Sequence, residues 1–437
     1  MRRAAIAALF CFVGGLGLVA AADRPYISAA RDAARWIEAA AIRSDRGTTW
    51  PADPTDPKSV RTDLYSGSAG VALFYAALYR TTGDEHHARE ARAGADYLLS
   101  ALDTEQQPGL YEGIAGLGFS LGETWRATHD PKYRDGLKHA ADLLRQRARK
   151  AGRGVDWNDT TDIIAGSAGT GLFLLYAARE LNDPALRDLA ADAGTHLIEL
   201  GISEKGGTKW AMDPKFPRLM PNFSHGTAGI AYFLATLFQE TGRAEFKTAA
   251  LAGGTYLQSI ALTDGDICLI RHHEPQADGE KLYYLSWCHG PVGTARLFYR
   301  LYQITNDKGW MDWVRRAARA VMTSGIPERQ TPGFWNNVSQ CCGSAGVAEF
   351  FLQLHRITGD RAYQAFAQRV LRQIVARGQR DQSGLRWVQA ENRIEPDHLV
   401  AQTGYMQGAA GLGMLLLHAD EYERGRVPAI RFPDSPF

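Results

Sequence analysis

Two kinds of apolar pattern alternate along this chain. In one, Leu, Phe, Ala and Tyr fall on nearly every side of a short helical stretch, as in Val71 to Tyr79 and Thr170 to Tyr176. A helix that is apolar all round is a buried one. In the other, Arg, Asp and Lys are set against Ala, Leu and Val at helical spacing: Ala88 to Leu102, Tyr133 to Arg149, Ala244 to Ile260 and Tyr363 to Arg377. That periodicity predicts a helix with one face on its neighbour and one in water. Arg31 to Arg43 supplies a further outer helix ahead of the first buried one. Between an inner and an outer helix stands a stop signal, as in Gly83-Asp84, Asn182-Asp183 and Gly359-Asp360. Gly or Asn takes the left-handed position after the helix, and Asp caps the next one. Pro131 and Pro184 stand where a first-turn proline is tolerated.

Each buried stretch opens with G-x-x-G. The copies begin at Gly67, Gly113, Gly166, Gly226, Gly290, Gly343 and Gly408. Seven copies, roughly 45 to 65 residues apart, mark a repeat architecture. Seven inner and seven outer helices close as a ring of hairpins. The expected fold is therefore all-α, an α/α toroid. Glycine lets backbone pass closely at the inner-helix N-termini. Those N-termini crowd one end of the ring, with partial positive charge pointing inward. The loops between units often carry Gly-x-x-Trp: Gly47 to Trp50, Gly154 to Trp157, Gly207 to Trp210 and Gly384 to Trp387. The tryptophans are expected to cover the ends of the helical hairpins, on loops with room for short strands.

Composition narrows the function classes. The formal net charge of +1 gives no electrostatic case for nucleic acid or an anionic membrane. The N-terminus reads as a separate segment. Arg2 and Arg3 precede an apolar run from Ala4 to about Ala20, and Ala20-Ala21-Ala22 offers a small-residue cleavage site. Residues 1–22 are thus expected to be a signal peptide, with an uncleaved anchor as the alternative. Residues 23–437 form a single domain on this reading, exported to the periplasm or secreted. No other stretch is long enough to cross a bilayer, so no stable span remains after cleavage. A monomer is expected.

Chemistry gathers just before three of the glycine motifs, at His225, Cys288 and the pair Cys341-Cys342. Cys11 leaves with the signal peptide, so Cys268, Cys288, Cys341 and Cys342 remain. An even count in an exported protein suggests disulfides. The position of three of them against the motif suggests a metal. In a ring of equivalent hairpins, residues one or two before the motif fall on neighbouring units at one height. Thiolates gathered there suit zinc, and three ligands leave a fourth position open. A vicinal Cys341-Cys342 disulfide is a strained alternative. Cys268 reads as a small buried hydrophobe. His272-His273 lie in a charged loop and are expected to be solvated.

These motifs resemble the lanthionine synthetase C-like family. Ser224-His225-Gly226, Trp287-Cys288-His289-Gly290 and Cys341-Cys342-Gly343 carry the resemblance, which runs from about Arg31 to the C-terminus. It implies an α/α toroid, a bound Zn2+, and addition of a thiol to dehydroalanine or dehydrobutyrine to give a thioether. Cys288 and Cys341 match two family zinc cysteines. Cys342 stands where the family usually has His. His225 matches the proposed acid/base histidine and Asp162 an active-site aspartate. Trp287 also matches. Tyr284 stands where some members have Arg, and His289 where they have Tyr. Trp287, His289 and Tyr284 are therefore expected to contact substrate. The implied partner is a thiol-bearing peptide or a small thiol. Two other readings stay open: an exported zinc- or thiol-binding protein without cyclase activity, and a carbohydrate-active toroid using Asp156 and Asp159.

Overall fold

The computed structural model describes residues 24–437 apart from 214, 216–218 and 276–279. The expected signal peptide, residues 1–22, lies outside the described residues. Helix α1 (Pro25–Ala39) comes first. Inner helix α2 (Ser68–Thr82) is followed by outer helix α3 (Glu85–Ala101), and α4 (Ile114–Thr128) by α5 (Pro131–Arg147). The alternation continues through α6 (Ser167–Leu181), α7 (Pro184–Glu199), α8 (Thr227–Thr241), α9 (Ala244–Ile260) and α10 (Pro291–Thr305). It ends with α11 (Lys308–Thr323), α12 (Ser344–Thr358), α13 (Arg361–Arg377) and α14 (Ala409–Glu423). Each inner helix touches the next, and α14 returns to α2. The first outer helix, α1, packs on the last inner one, α14, and an Arg24–Asp420 ion pair joins them. The result is an α/α toroid. No helix of the described residues is long and apolar enough to cross a membrane.

Helix α1 begins at Pro25 rather than Arg31 and stops at Ala39, because Ile42–Ser44 leave the helix to form a strand. The stop signals work as expected from their chemistry. Gly83 and Asn182 take left-handed backbone, and His129 does the same at an equivalent position. The following Asp84, Asp130, Asp183, Asp307 and Asp360 each accept a backbone N–H in the first turn of the next helix. Arg243 replaces this aspartate before α9, and no side chain caps that helix.

Four of the loops carry antiparallel hairpins: β1 (Ile42–Ser44) with β2 (Gly47–Thr49), β3 (Arg149–Ala151) with β4 (Gly154–Asp156), β5 (Ile202–Glu204) with β6 (Gly207–Lys209), and β7 (Gln379–Asp381) with β8 (Gly384–Arg386). A fifth pair, β9 (Gln389–Ala390) with β10 (Leu399–Val400), follows. Each Gly-x-x-Trp lies at the end of a hairpin. Its glycine abuts the next outer helix so closely that a Cβ on Gly154 would sit 2.0 Å from the Asp192 carbonyl oxygen. The tryptophans are buried. Indole N–H groups of Trp157, Trp210 and Trp387 donate to Leu144, Leu197 and Ile374 carbonyls at the ends of α5, α7 and α13.

The seven glycine motifs are tied together at one end of the ring. Two residues before six of the seven motifs, the backbone N–H donates to a carbonyl in the next unit. The series runs from Tyr65 to Tyr111, Tyr111 to Ile164, Ser224 to Cys288, Cys288 to Cys341, Cys341 to Met406 and Met406 back to Tyr65, at 2.7 to 3.1 Å. At the third motif Ile163 is the donor, to Ser224, at 3.2 Å. The circle is closed. The second motif glycine makes it possible, since a Cβ on Gly293 would lie 1.9 Å from the Trp287 carbonyl oxygen. The segment after α14 fills the middle of the ring. Buried Asp434 accepts from the Tyr111 hydroxyl at 3.2 Å and from Arg296, while Phe437 stacks on Tyr299.

Candidate metal and catalytic centre

The circle of backbone bonds sets the chemistry. Cys288 and Cys341 hold equivalent places in it, and Cys342 stands one residue further on. Their sulfurs meet. Cys288 Sγ is 3.3 Å from Cys342 Sγ, which is 3.2 Å from Cys341 Sγ. All three lie within 4.8 Å of one another, and none is in a disulfide. A tetrahedral ion with bonds of about 2.3 Å spaces its sulfurs about 3.8 Å apart. The cluster therefore needs to open only slightly to hold zinc. Its electrostatics fit as well. Hydrogen bonds from Cys288 and Cys342 hold the Cys341 thiol well below its usual range. Burial keeps Cys288 well above it, and the bonds to its neighbours do the same for Cys342. A divalent ion held among them would stabilise all three as thiolates.

Tyr65 completes this wall. Its hydroxyl donates to Cys341 Sγ at 3.1 Å and accepts from Gln407 Nε2 at 3.0 Å. Burial, with the two adjacent cysteines, pushes the phenol well up, so it stays a donor. Cys268 is elsewhere. It is buried, its N–H donates to the Arg316 carbonyl, and burial pushes its thiol up to about 12.

The cysteines face a cavity of about 170 Å³. His225, His289, Tyr284 and Trp335 line it as well, with Ser224 and His272. His225 Nδ1 lies 2.5 Å from Asp162 Oδ2. The other Asp162 oxygen accepts from the Ala165 and Gly166 amides, so this carboxylate fixes the turn before α6 and orients the histidine at once. Burial lowers the His225 pKa, but the hydrogen bond and charge of Asp162, aided by Cys341 and Glu112, raise it overall. His289 is buried 4.3 Å ring to ring from His272 and 5.4 Å from His225. Tyr284 stacks on His272 at 4.3 Å. His272 is thus part of the cavity and His273 is buried, where the sequence pointed to solvated side chains. Trp287 points elsewhere. It lies edge-on to Tyr111 and Phe223 and lines the space occupied by the segment after α14.

A wider cleft of about 830 Å³ adjoins the cysteine cavity and shares Tyr65 and Glu391 with it. Asp156 and Asp159 line neither space, and Arg149 engages both carboxylates at 2.9 to 3.1 Å. Tyr65, Gln407, His272 and Trp335 escaped the sequence reading. For the first two a signal was present: Tyr65 lies two residues before its glycine, as Cys288 does, and Gln407 one before, as His225 does.

Fold and site together define a toroid with a thiol cluster at its motif end, facing a histidine held by a carboxylate. The chain belongs to the lanthionine synthetase C-like family, whose model matches residues 58–431. Among solved structures it is similar to a nisin cyclase, with 17% identity over 89% of this chain and 92% of that chain, at a TM-score of 0.64. It is also similar to an unsaturated glucuronyl hydrolase specific for heparin, with 12% identity over 93% and 99% of the two chains, at a TM-score of 0.50. At such identities these likenesses are of fold.

Proposed function

We propose that this protein is a zinc-dependent enzyme that adds a thiol, from a peptide cysteine or a small molecule, to a dehydroalanine or dehydrobutyrine acceptor. The observation that carries this reading is the meeting of Cys288, Cys341 and Cys342 with the Asp162–His225 pair in one cavity. Zinc held by the three cysteines would keep a fourth position for the incoming thiol and favour its thiolate form.

The rest of the chemistry falls to side chains. His225 takes the thiol proton. The sulfur lone pair then attacks the β carbon, so a C–S bond forms and the C=C π pair moves onto the acceptor's carbonyl oxygen. His225 returns the proton to the α carbon of this enolate, and the carbonyl re-forms. The product is the sum of thiol and acceptor, with no oxidant and no leaving group. Asp162 suits the cycle because it orients the ring and favours its charged form between the two transfers.

The adjoining cleft gives an extended substrate room, which supports a peptide acceptor. Family membership and the fold shared with a nisin cyclase point the same way. The N-terminal pattern supports export, with the mature chain starting near Asp23. Metal analysis of the purified protein, followed by a thioether assay on a dehydroalanine peptide, tests the reading. One zinc per chain and product formation are expected. Full zinc loading without activity toward any thiol would favour a binding protein instead.

A further inference from the structure

The proposed reaction puts negative charge on one more atom, the acceptor's carbonyl oxygen, and that atom needs donors. Two polar side chains of the cysteine cavity have no assigned task. Ser224 Oγ is buried without a protein hydrogen-bond partner among the described residues, and so is His289 Nδ1. Both residues are more than nine-tenths buried, at 1% and 8% exposure, and both line the cavity. A buried polar atom left unpaired is costly, so a ligand that satisfies it gains from doing so.

Their placement matches the geometry of an enolate. Ser224 precedes His225 in the chain, and its N–H donates to the Cys288 carbonyl at 2.9 Å, which sets it beside the Cys288-His289 segment. The His289 ring lies 5.4 Å from that of His225. In an enolate the oxygen is two bonds from the α carbon. Donors for the oxygen must therefore flank the group that protonates the carbon, as these two do. The sulfurs that would hold the nucleophile line the same cavity.

We propose that Ser224 and His289 are catalytic residues that donate hydrogen bonds to the acceptor's carbonyl oxygen as it becomes an enolate. The proposal rests on the thioether-forming reading and adds the recognition of an α,β-unsaturated amide to it. A donor aimed at developing charge acts mainly in the transition state, and loss of one typically costs about a hundred- to a thousand-fold in rate.

The test uses zinc-loaded wild type, Ser224→Ala, His289→Phe and the double variant. His289→Phe keeps an aromatic ring against His272 and Tyr284. Zinc content, unfolding temperature and the thiolate band of the cobalt-substituted protein should match wild type, because neither residue acts on the thiol. Rates on a dehydroalanine peptide should fall about a hundred-fold in each single variant. A second readout is independent of turnover. Calorimetric affinity for a saturated peptide amide carrying S-methylcysteine should weaken about three- to ten-fold, the worth of one hydrogen bond. If wild type turns nothing over but the variants lose this affinity, the two residues bind an amide carbonyl, and the thioether reading and the catalytic part of the assignment fail together. Unchanged rates and unchanged affinity in the double variant would overturn the donor assignment, as would losses that merely follow zinc content.

Discussion

At the scale of single residues, the proposed reaction divides the centre into ligands and a proton carrier, and the two groups should separate on mutation. Cys341→Ala should release zinc, measured by metal analysis, while Cys268→Ala should not, because its buried thiol is remote from the cluster. His225→Asn should keep zinc and lose about a hundred- to ten-thousand-fold in thioether formation, the usual worth of a general acid. Asp162 raises the His225 pKa, so Asp162→Asn should lower it. If protonated His225 delivers the α proton, activity falls as pH rises through that pKa. The alkaline limb of the kcat profile should then move to lower pH in Asp162→Asn, and an unmoved limb would remove the pairing from the mechanism. The cysteine cluster was legible in the sequence because thiols next to a repeated glycine motif stand out. Tyr65 was not, because a tyrosine before a buried helix looks like core until its unit is laid beside that of Cys341. His272 was hidden for another reason: its place in the cavity depends on a stack with Tyr284, twelve residues away in the chain, and no periodicity links the two.

At the scale of elements, capping and close approach do most of the local specification. Asp183 accepts the Ala185 amide at the start of α7. Asp183→Ala should therefore cost about 1 kcal/mol of stability, read from denaturant unfolding. Gly293→Ala should cost more, about 1–3 kcal/mol or beyond, because its Cβ would press on the Trp287 carbonyl and the backbone there must shift. The alternation of inner and outer helices was readable from apolar pattern, and outer helix boundaries shifted by only a few residues from their expected places. The start of α1 was the exception. Pro25 opens it, but Arg24 at the cap position is not a capping residue, and no side chain caps the helix in the structure. The hairpins were legible only as long loops with room for short strands, without their positions. Their strands are three residues each, too short for alternation to register, and the glycine beside the outer helix is what fixes them.

At the scale of the whole molecule, the sequence showed seven units but not how they join. Repeat count and motif spacing pointed to a ring, whereas the circle of backbone bonds and the filling of its middle by Phe432, Asp434 and Phe437 follow from no local pattern. A metal held between the cysteines of two neighbouring units should tighten both. Removing zinc with a chelator should lower the unfolding temperature, and the Cys268→Ala protein should lose as much as wild type. The closed circle has a further consequence. In an open array of repeats, an end unit has one neighbour and frays first. A hoop has no end unit, so none can peel away without breaking a link on each side. Two of its links are the amides of Cys288 and Cys341, which are also proposed metal ligands. The seven amides of the hoop should therefore exchange their hydrogens with solvent last and together. Slackening any distant unit should speed exchange at all seven and loosen the grip on zinc to the same degree.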